Sequence, residues 1–113
     1  MDAPRYEKYS TVPLFEGLKP EEIGALLDYS EEVNVEAGDV VIHEGEPPKD
    51  FYIVAEGTLD VIKTEGENPT VLARLSDLSS FGEIGVVSDQ AHSASVVAVS
   101  RSRLRRFSIE RFR

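Results

Sequence analysis

From Glu32 onward the chain is divided by Gly38, Gly45, Gly57, Gly66 and Gly82 into short runs rich in Val, Ile, Phe and Tyr. No other feature constrains the fold so strongly. Glycine weakens a strand interior and punctuates turns, and runs this short leave no room for long helices. The runs are "EEVNVEAG", "DVVIHEGEPPKD", "FYIVAEG", "TLDVIKT" and "TVLARL", followed later by "SASVVAVS" and "SRLRRFSI". Glu56-Gly57 between two β-rich runs is a hairpin signal, and "EGENP" over 65–69 is a further turn. Seven or eight short strands with regular turns predict a mainly β fold, a jelly-roll β-barrel or double-stranded β-helix.

Short helices are expected at both ends. In "GLKPEEIGALLDYS", Pro20 suits the first helical position, and Glu21 and Glu22 suit the positive end of the helix dipole. Leu18 and Ile23 stand at the spacing of a hydrophobic staple, and Ile23, Leu26 and Leu27 form one apolar face. Upstream, Leu14 and Phe15 of "VPLFEG" are placed to pack on the main body. The last residues, "IERFR", read as helical. The predicted organisation is one domain over 1–113, which suits a single modest core. It comprises an N-terminal extension at 1–11, a helical segment at 12–31, a β-roll at 32–109 and the start of a truncated C-terminal helix at 110–113.

Charge is unevenly placed. Residues 1–100 hold six Lys/Arg against twenty Asp/Glu, and residues 101–113 hold six Arg against one Glu. An acidic body repels nucleic acid and anionic membranes, which are bound chiefly through their phosphates. Leu104, Phe107, Ile109 and Phe112 interleave the C-terminal arginines, so those arginines read as solvent-facing or as partners of the acidic body rather than as a nucleic-acid arm. No apolar run approaches the ~20 residues of a membrane span. "MDAPRYEKYS" lacks the features of a signal peptide, and a cytoplasmic location is expected. The absence of cysteine excludes disulfides, thiolate metal sites and thiol catalysis.

Enzyme chemistry has little to build on. A cupin-like metal enzyme needs histidines and carboxylates converging on one metal, and the chain has only His43 and His92. His43 and Glu44 are neighbours on a strand and point to opposite faces, so His43 reads as an exposed strand-end residue. Ser88, Ser93 and Ser95 lie near His92, but nothing specifies a triad, and loop chemistry explains them. No Walker-type phosphate loop is present.

The stretch "FGEIGVVSDQAHSASV", Phe81 to Val96, carries more information. Gly82 permits a sharp turn, and a helical turn starting near Glu83 would aim the amides of Ile84 and Gly85 at an anion. Glu83 could accept hydrogen bonds from a sugar hydroxyl. A phosphate joined to a ribose is one coherent ligand for such a turn. Each feature also has a plainer reading: Gly82 as a turn residue, Glu83 as a helix cap, His92 as an exposed loop residue, and Ser93 and Ser95 alternating along a strand.

Taken in order, the first helix, "AGDVVIHEGEPPKDFYIVAEGTLDVIK", "FGEIGVV", "SASVVAV" and "LRRFSIERF" resemble the cyclic nucleotide-binding domain. This is the sensor module of the Crp/Fnr regulators, of cAMP-dependent kinase regulatory subunits and of cyclic-nucleotide-gated channels. The resemblance runs from about Val12 to Arg113. It implies a regulatory, non-enzymatic domain with cAMP or cGMP as ligand and no cofactor or metal. It implies that Gly82 and Glu83 serve the ribose turn, that the Ile84 and Gly85 amides face the phosphate, and that the residues nine and ten after Glu83 contact it. Those two are His92 and Ser93, and the family has arginine at the first.

That difference is physically serious. Arginine is permanently charged and grips two phosphate oxygens with a planar fork, whereas imidazole offers at most one donor per ring nitrogen. Losing one partner of a buried charge pair costs on the order of 3–5 kcal/mol, more than a hundredfold in affinity. No Lys or Arg in the cassette replaces it, and Arg74 on "TVLARL" is the nearest candidate on a strand. Asp89 and Ala91 stand where the family has glycine and proline, and "LSDLSS" lacks the family's glycine before Phe81. Two expectations stand side by side. One is a sensor with weak or lost cyclic-nucleotide binding. The other is a degenerate structural or protein-interaction module of the same fold inside a larger protein. The expected partners are a small-molecule ligand and other domains of a parent protein, with no direct nucleic-acid or membrane contact, and the fragment is expected to be a monomer.

Overall fold

The computed structural model describes residues 7–47, 49–82 and 92–108. The chain enters through two 3-10 turns, Glu7–Thr11 and Pro13–Phe15, and then forms helix α1, Pro20–Tyr29. Strands follow as β1 (Glu31–Val35), β2 (Val40–Ile42), β3 (Asp50–Glu56), β4 (Leu59–Glu65), β5 (Asn68–Leu75), β6 (Ser80–Phe81), β7 (Ser95–Ala98) and β8 (Ser102–Ser108). They form two antiparallel four-stranded sheets, ordered β1-β8-β3-β6 and β2-β7-β4-β5. This is the predicted β jelly roll. The "IERFR" segment lies outside the described residues.

Helix α1 starts as its sequence requires. Pro20 needs no backbone donor in the first turn, and the Lys19 amide donates to the Glu22 carboxylate at 2.9 Å. Ile23 and Leu27 are buried and Leu26 is partly so, which is the predicted apolar face. Leu18 packs on the same cluster, consistent with the staple, and Phe15 is buried in it. The cluster also takes in Tyr9 from the first 3-10 turn, so the core extends upstream of the helical segment.

Strand β3 is buried on both faces. Phe51, Ile53 and Ala55 face α1 and the N-terminal turns, with Phe107 stacked on Phe51 at 4.8 Å. Tyr52 and Val54 face the interior between the sheets, with Leu59, Phe81, Val96 and Leu104. Two-sided burial explains why "FYIVA" is a continuous apolar run where a half-exposed strand would alternate. Its edge away from β8 is covered by residues 78–81: the Val54 amide donates to the Ser79 carbonyl, and the Leu78 amide donates to the Val54 carbonyl.

Glycine is required at the β3–β4 hairpin. Gly57 has φ 127°, and a Cβ there would stand 2.7 Å from the Cα of Ser102. Ser102, 3% exposed, places its hydroxyl within 3.2 Å of the Thr58 amide, which donates to it.

The arginines of 101–106 pair with the acidic body, as their sequence setting suggested. Arg103 lies 3.8 Å from Glu32 and 3.3 Å from Glu56, Arg101 lies 3.4 Å from Glu36, and Arg106 pairs with Glu31. Arg105 instead closes the C-terminus of α1, donating to Ser30 Oγ at 2.8 Å and to the Leu27 carbonyl at 2.7 Å. Among the described residues, no helix is long and apolar enough to cross a membrane.

Candidate functional site

The two described ends of the stretch 81–96 each pack against residues of β2, β3 or the loop between them. At the first end, Phe81 pairs with Tyr52 across β3 and β6, and their rings stack with centroids 4.9 Å apart. Gly82 follows with φ 89° and lies flat on the start of β3. A Cβ at Gly82 would stand 3.0 Å from the Asp50 carbonyl oxygen and 3.2 Å from the Cα of Phe51. Its predicted role as a sharp turn is therefore met, with a close backbone approach as the added reason. Glu83, Ile84 and Gly85 lie outside the described residues, as does Asp89.

At the second end, His92 is held by two backbone hydrogen bonds. Its amide donates to the Glu46 carbonyl at 2.9 Å, and its carbonyl accepts from the Gly45 amide at 2.8 Å. The end of the cassette is thus tied to the loop between β2 and β3. His92 borders a cavity of about 290 Å³. Val41, Ile42, Pro47 and Tyr52 form its apolar lining, and Glu46, Lys49, Asp50 and His92 bring polar groups to it. Tyr52 is 7% exposed, and burial raises the pKa of its phenol, with the nearby Asp50 charge acting in the same direction.

Ser93 does not border this cavity. It precedes β7 and is exposed, and its carbonyl accepts from Lys63 Nζ at 3.0 Å. Ser95 is the serine with a defined local role, accepting from the Glu44 amide at 2.9 Å. Glu44 turns the other way from His43, accepting from the Thr64 amide at 3.0 Å and standing 3.7 Å from Lys63 Nζ. His43 is exposed at the end of β2 and contacts Glu46 at 2.7 Å through Nδ1. Among the described residues, no group of three His, Cys, Asp or Glu could hold a metal ion.

Arg74, the nearest strand candidate for replacing the missing cation, is already engaged. Its Nε donates to Asp60 Oδ1 at 2.8 Å and its Nη2 to Oδ2 at 3.2 Å. This bidentate pair holds the Asp60 carboxyl below its ordinary pKa and raises that of Arg74. Sequence reasoning missed Lys49, Glu46 and Tyr52 as cavity residues. Nothing in the local pattern marks them. They approach His92 only because the Gly45 and Glu46 backbone bonds bring the β2–β3 loop against the start of β7.

The family model for the cyclic nucleotide-binding domain matches residues 32–113. The chain belongs to that family. A cAMP-dependent protein kinase regulatory subunit of Aspergillus fumigatus is 32% identical over 109 residues, which is 96% of this chain and 26% of that protein. The chain thus spans about a quarter of the length of this curated relative. Among solved structures, the catabolite activator protein of Thermus thermophilus is similar with TM-score 0.82 and 32% identity, over 88% of this chain and 47% of that one. The regulatory subunit of a cAMP-independent protein kinase A of Trypanosoma brucei gives TM-score 0.84 at 25% identity, over 95% of this chain and 40% of its own. A triple mutant of that subunit, in which one substitution replaces threonine by arginine, is bound to cAMP in its A site.

Proposed function

We propose that this chain is a regulatory ligand-sensing domain in which affinity for cAMP and cGMP is weak or lost, because His92 stands where the family has its phosphate-binding arginine. One observation carries the reading. His92 is pinned at the cavity by its bonds to Gly45 and Glu46, and no arginine among the described residues lines that cavity. The described arginines are engaged elsewhere: Arg74 by Asp60, Arg101 by Glu36, Arg103 by Glu32 and Glu56, Arg105 by Leu27 and Ser30, and Arg106 by Glu31. The trypanosomal relative supports the same logic, since a cAMP-independent subunit is found with cAMP after changes that include the gain of an arginine. In this reading Gly82, Glu83, Ile84 and Gly85 keep the ribose turn and its amides, while Ser93, exposed and outside the cavity lining, adds no phosphate contact there. The domain acts in the cytoplasm with other domains of a parent protein as partners, and it is monomeric in isolation.

Calorimetric titration of cAMP and cGMP into the native chain and into His92→Arg tests this. The native chain is expected to show no saturable heat at micromolar ligand. His92→Arg is expected to gain at least about a hundredfold in affinity, the inverse of losing a buried charge partner. Micromolar binding by the native chain would refute the reading. Failure of the arginine to restore binding would favour the degenerate structural or protein-interaction module.

A further inference from the structure

We propose that Lys49 is a ligand-binding residue. Lys49 and His92 border one cavity, and together they form an anion subsite for the phosphate group of a nucleotide ligand. The inference rests on the chain being a ligand-binding member of its family with weakened affinity.

Lys49 and His92 come from segments 43 residues apart in sequence, the β2–β3 loop and the end of the cassette. Their meeting is built into the fold, because the paired backbone bonds of His92 with Gly45 and Glu46 lock those segments together. The cavity also has two carboxylates, which at first sight would repel an anion. Each is engaged within the protein through at least one contact. Glu46 accepts from the His43 amide at 3.0 Å and contacts its Nδ1 at 2.7 Å. Asp50 is not free either: it is engaged within the fold, and its charge acts on Tyr52 and Arg106. Among the described residues, by contrast, no hydrogen bond or ion pair engages the side chain of Lys49 or of His92. Lys49 and His92 are therefore the lining side chains left with donors to offer a ligand.

The other lysine near the cassette end, Lys63, is occupied by the Ser93 carbonyl and by Glu44. Lys49 is the one cation among the described residues that lines the cavity. Its floor of Ile42, Val41 and Tyr52 is apolar, which strengthens a charge–charge contact made against it. An ammonium on a flexible stem grips an anion at one point, without the fork of a guanidinium, so the subsite is weak.

NMR titration of the native chain, Lys49→Gln and Lys49→Arg with cAMP, adenosine and inorganic phosphate tests the assignment. Lys49 is exposed, so the variants retain the fold, which an unchanged spectrum away from the cavity verifies. The native chain is expected to bind cAMP in the millimolar range, with shifts at Lys49, Tyr52 and His92. Lys49→Gln is expected to weaken this about tenfold, the size of one charge-assisted contact, and Lys49→Arg to restore it. Inorganic phosphate is expected to shift the Lys49 and His92 signals, and adenosine is expected to respond equally in all three proteins. Equal cAMP affinity in the native chain and Lys49→Gln would overturn the subsite, as would a loss of adenosine response equal to that of cAMP. So would the absence of any native response at tens of millimolar. These results leave the reading of weak or lost cyclic-nucleotide binding intact. Micromolar cAMP binding that ignores Lys49 would overturn both.

Discussion

Removing the Arg105 side chain should unfasten α1 from the β-roll. The guanidinium donates to Ser30 Oγ at 2.8 Å and to the Leu27 carbonyl at 2.7 Å, both at the C-terminal end of the helix. The Leu27 carbonyl also shares the Ser30 amide at 3.1 Å, but the last-turn carbonyls lack full helical partners and a cation is favoured there by the dipole. Hydrogen bonds from a charged donor contribute about 1.5–3 kcal/mol each, and both contacts are partly buried. Some of that is recovered because Ser30 Oγ also donates to the Leu27 carbonyl at 2.6 Å. Arg105→Ala is therefore expected to cost about 2–4 kcal/mol, out of a total near 6–17 kcal/mol for a chain of this length. With a urea m-value of about 1.5 kcal/mol/M, the unfolding midpoint should fall by about 1.3–2.7 M. Arg105→Lys, which reaches only one of the two acceptors, should fall about half as far. Arg101→Ala is the control. Its pair with Glu36 is 3.4 Å long between side chains 83% and 68% exposed, and its removal should leave the midpoint unchanged within error. A midpoint for Arg105→Ala indistinguishable from that of Arg101→Ala would refute the argument.

Gly57→Ala should lower the melting temperature by about 8–15 °C, from a cost of about 2–4 kcal/mol, because the new Cβ meets the Ser102 backbone as well as an unfavourable φ. Gly38→Ala shares the positive φ but meets nothing within 4 Å, so it should cost only about 1 kcal/mol; equal losses for the two would show that contact is irrelevant. Asp60 carries a pH signature. Its pKa is depressed by Arg74 in the folded chain, so the stability it adds is full above its ordinary value of 3.8 and is lost as pH falls through the lower folded value. Urea unfolding at pH 6 and pH 3 should show a smaller acid-side loss in Asp60→Asn than in the native chain, and an equal loss would count against the pairing.

Much of the fold was legible because its signals are local. The Gly57 and Gly66 turns bound β4 and β5, and Ile23 and Leu27 lie on the face of α1 that is buried. The arginines of 101–106 could be read as partners of the acidic body because apolar residues interleave them, and Arg101, Arg103 and Arg106 do pair with it, whereas the capping of α1 by Arg105 left no local signal. Harder to see was the strand register. Arg74 reaches Asp60 because these two are direct cross-strand partners, but a bulge between Val61 and Ile62 shifts the pairing further along. The candidate site was half legible. His92 borders the cavity and Gly82 packs on Asp50, one of its lining residues, while Ser93 does not line it and is tied by its carbonyl to Lys63. Lys49 carries no signal in its own segment, since its meaning depends on two backbone bonds to a residue far along the chain. The two-residue strand β6 is equally unmarked, since only its partner β3 makes it a strand.

The two-sided burial of β3 has a consequence for how the protein can fail. Phe51–Ala55 is apolar, high in β propensity and uncharged, the kind of segment that self-associates into cross-β stacks when its edges are free. On one side β8 protects it. On the other, among the described residues, its cover is β6 with the Leu78 amide and the Ser79 carbonyl, immediately before Gly82. The segment that leads into Gly82 is therefore also the guard of an aggregation-prone edge. A change that frees residues 78–82 would expose a template for fibre growth while leaving the helical face of the core closed.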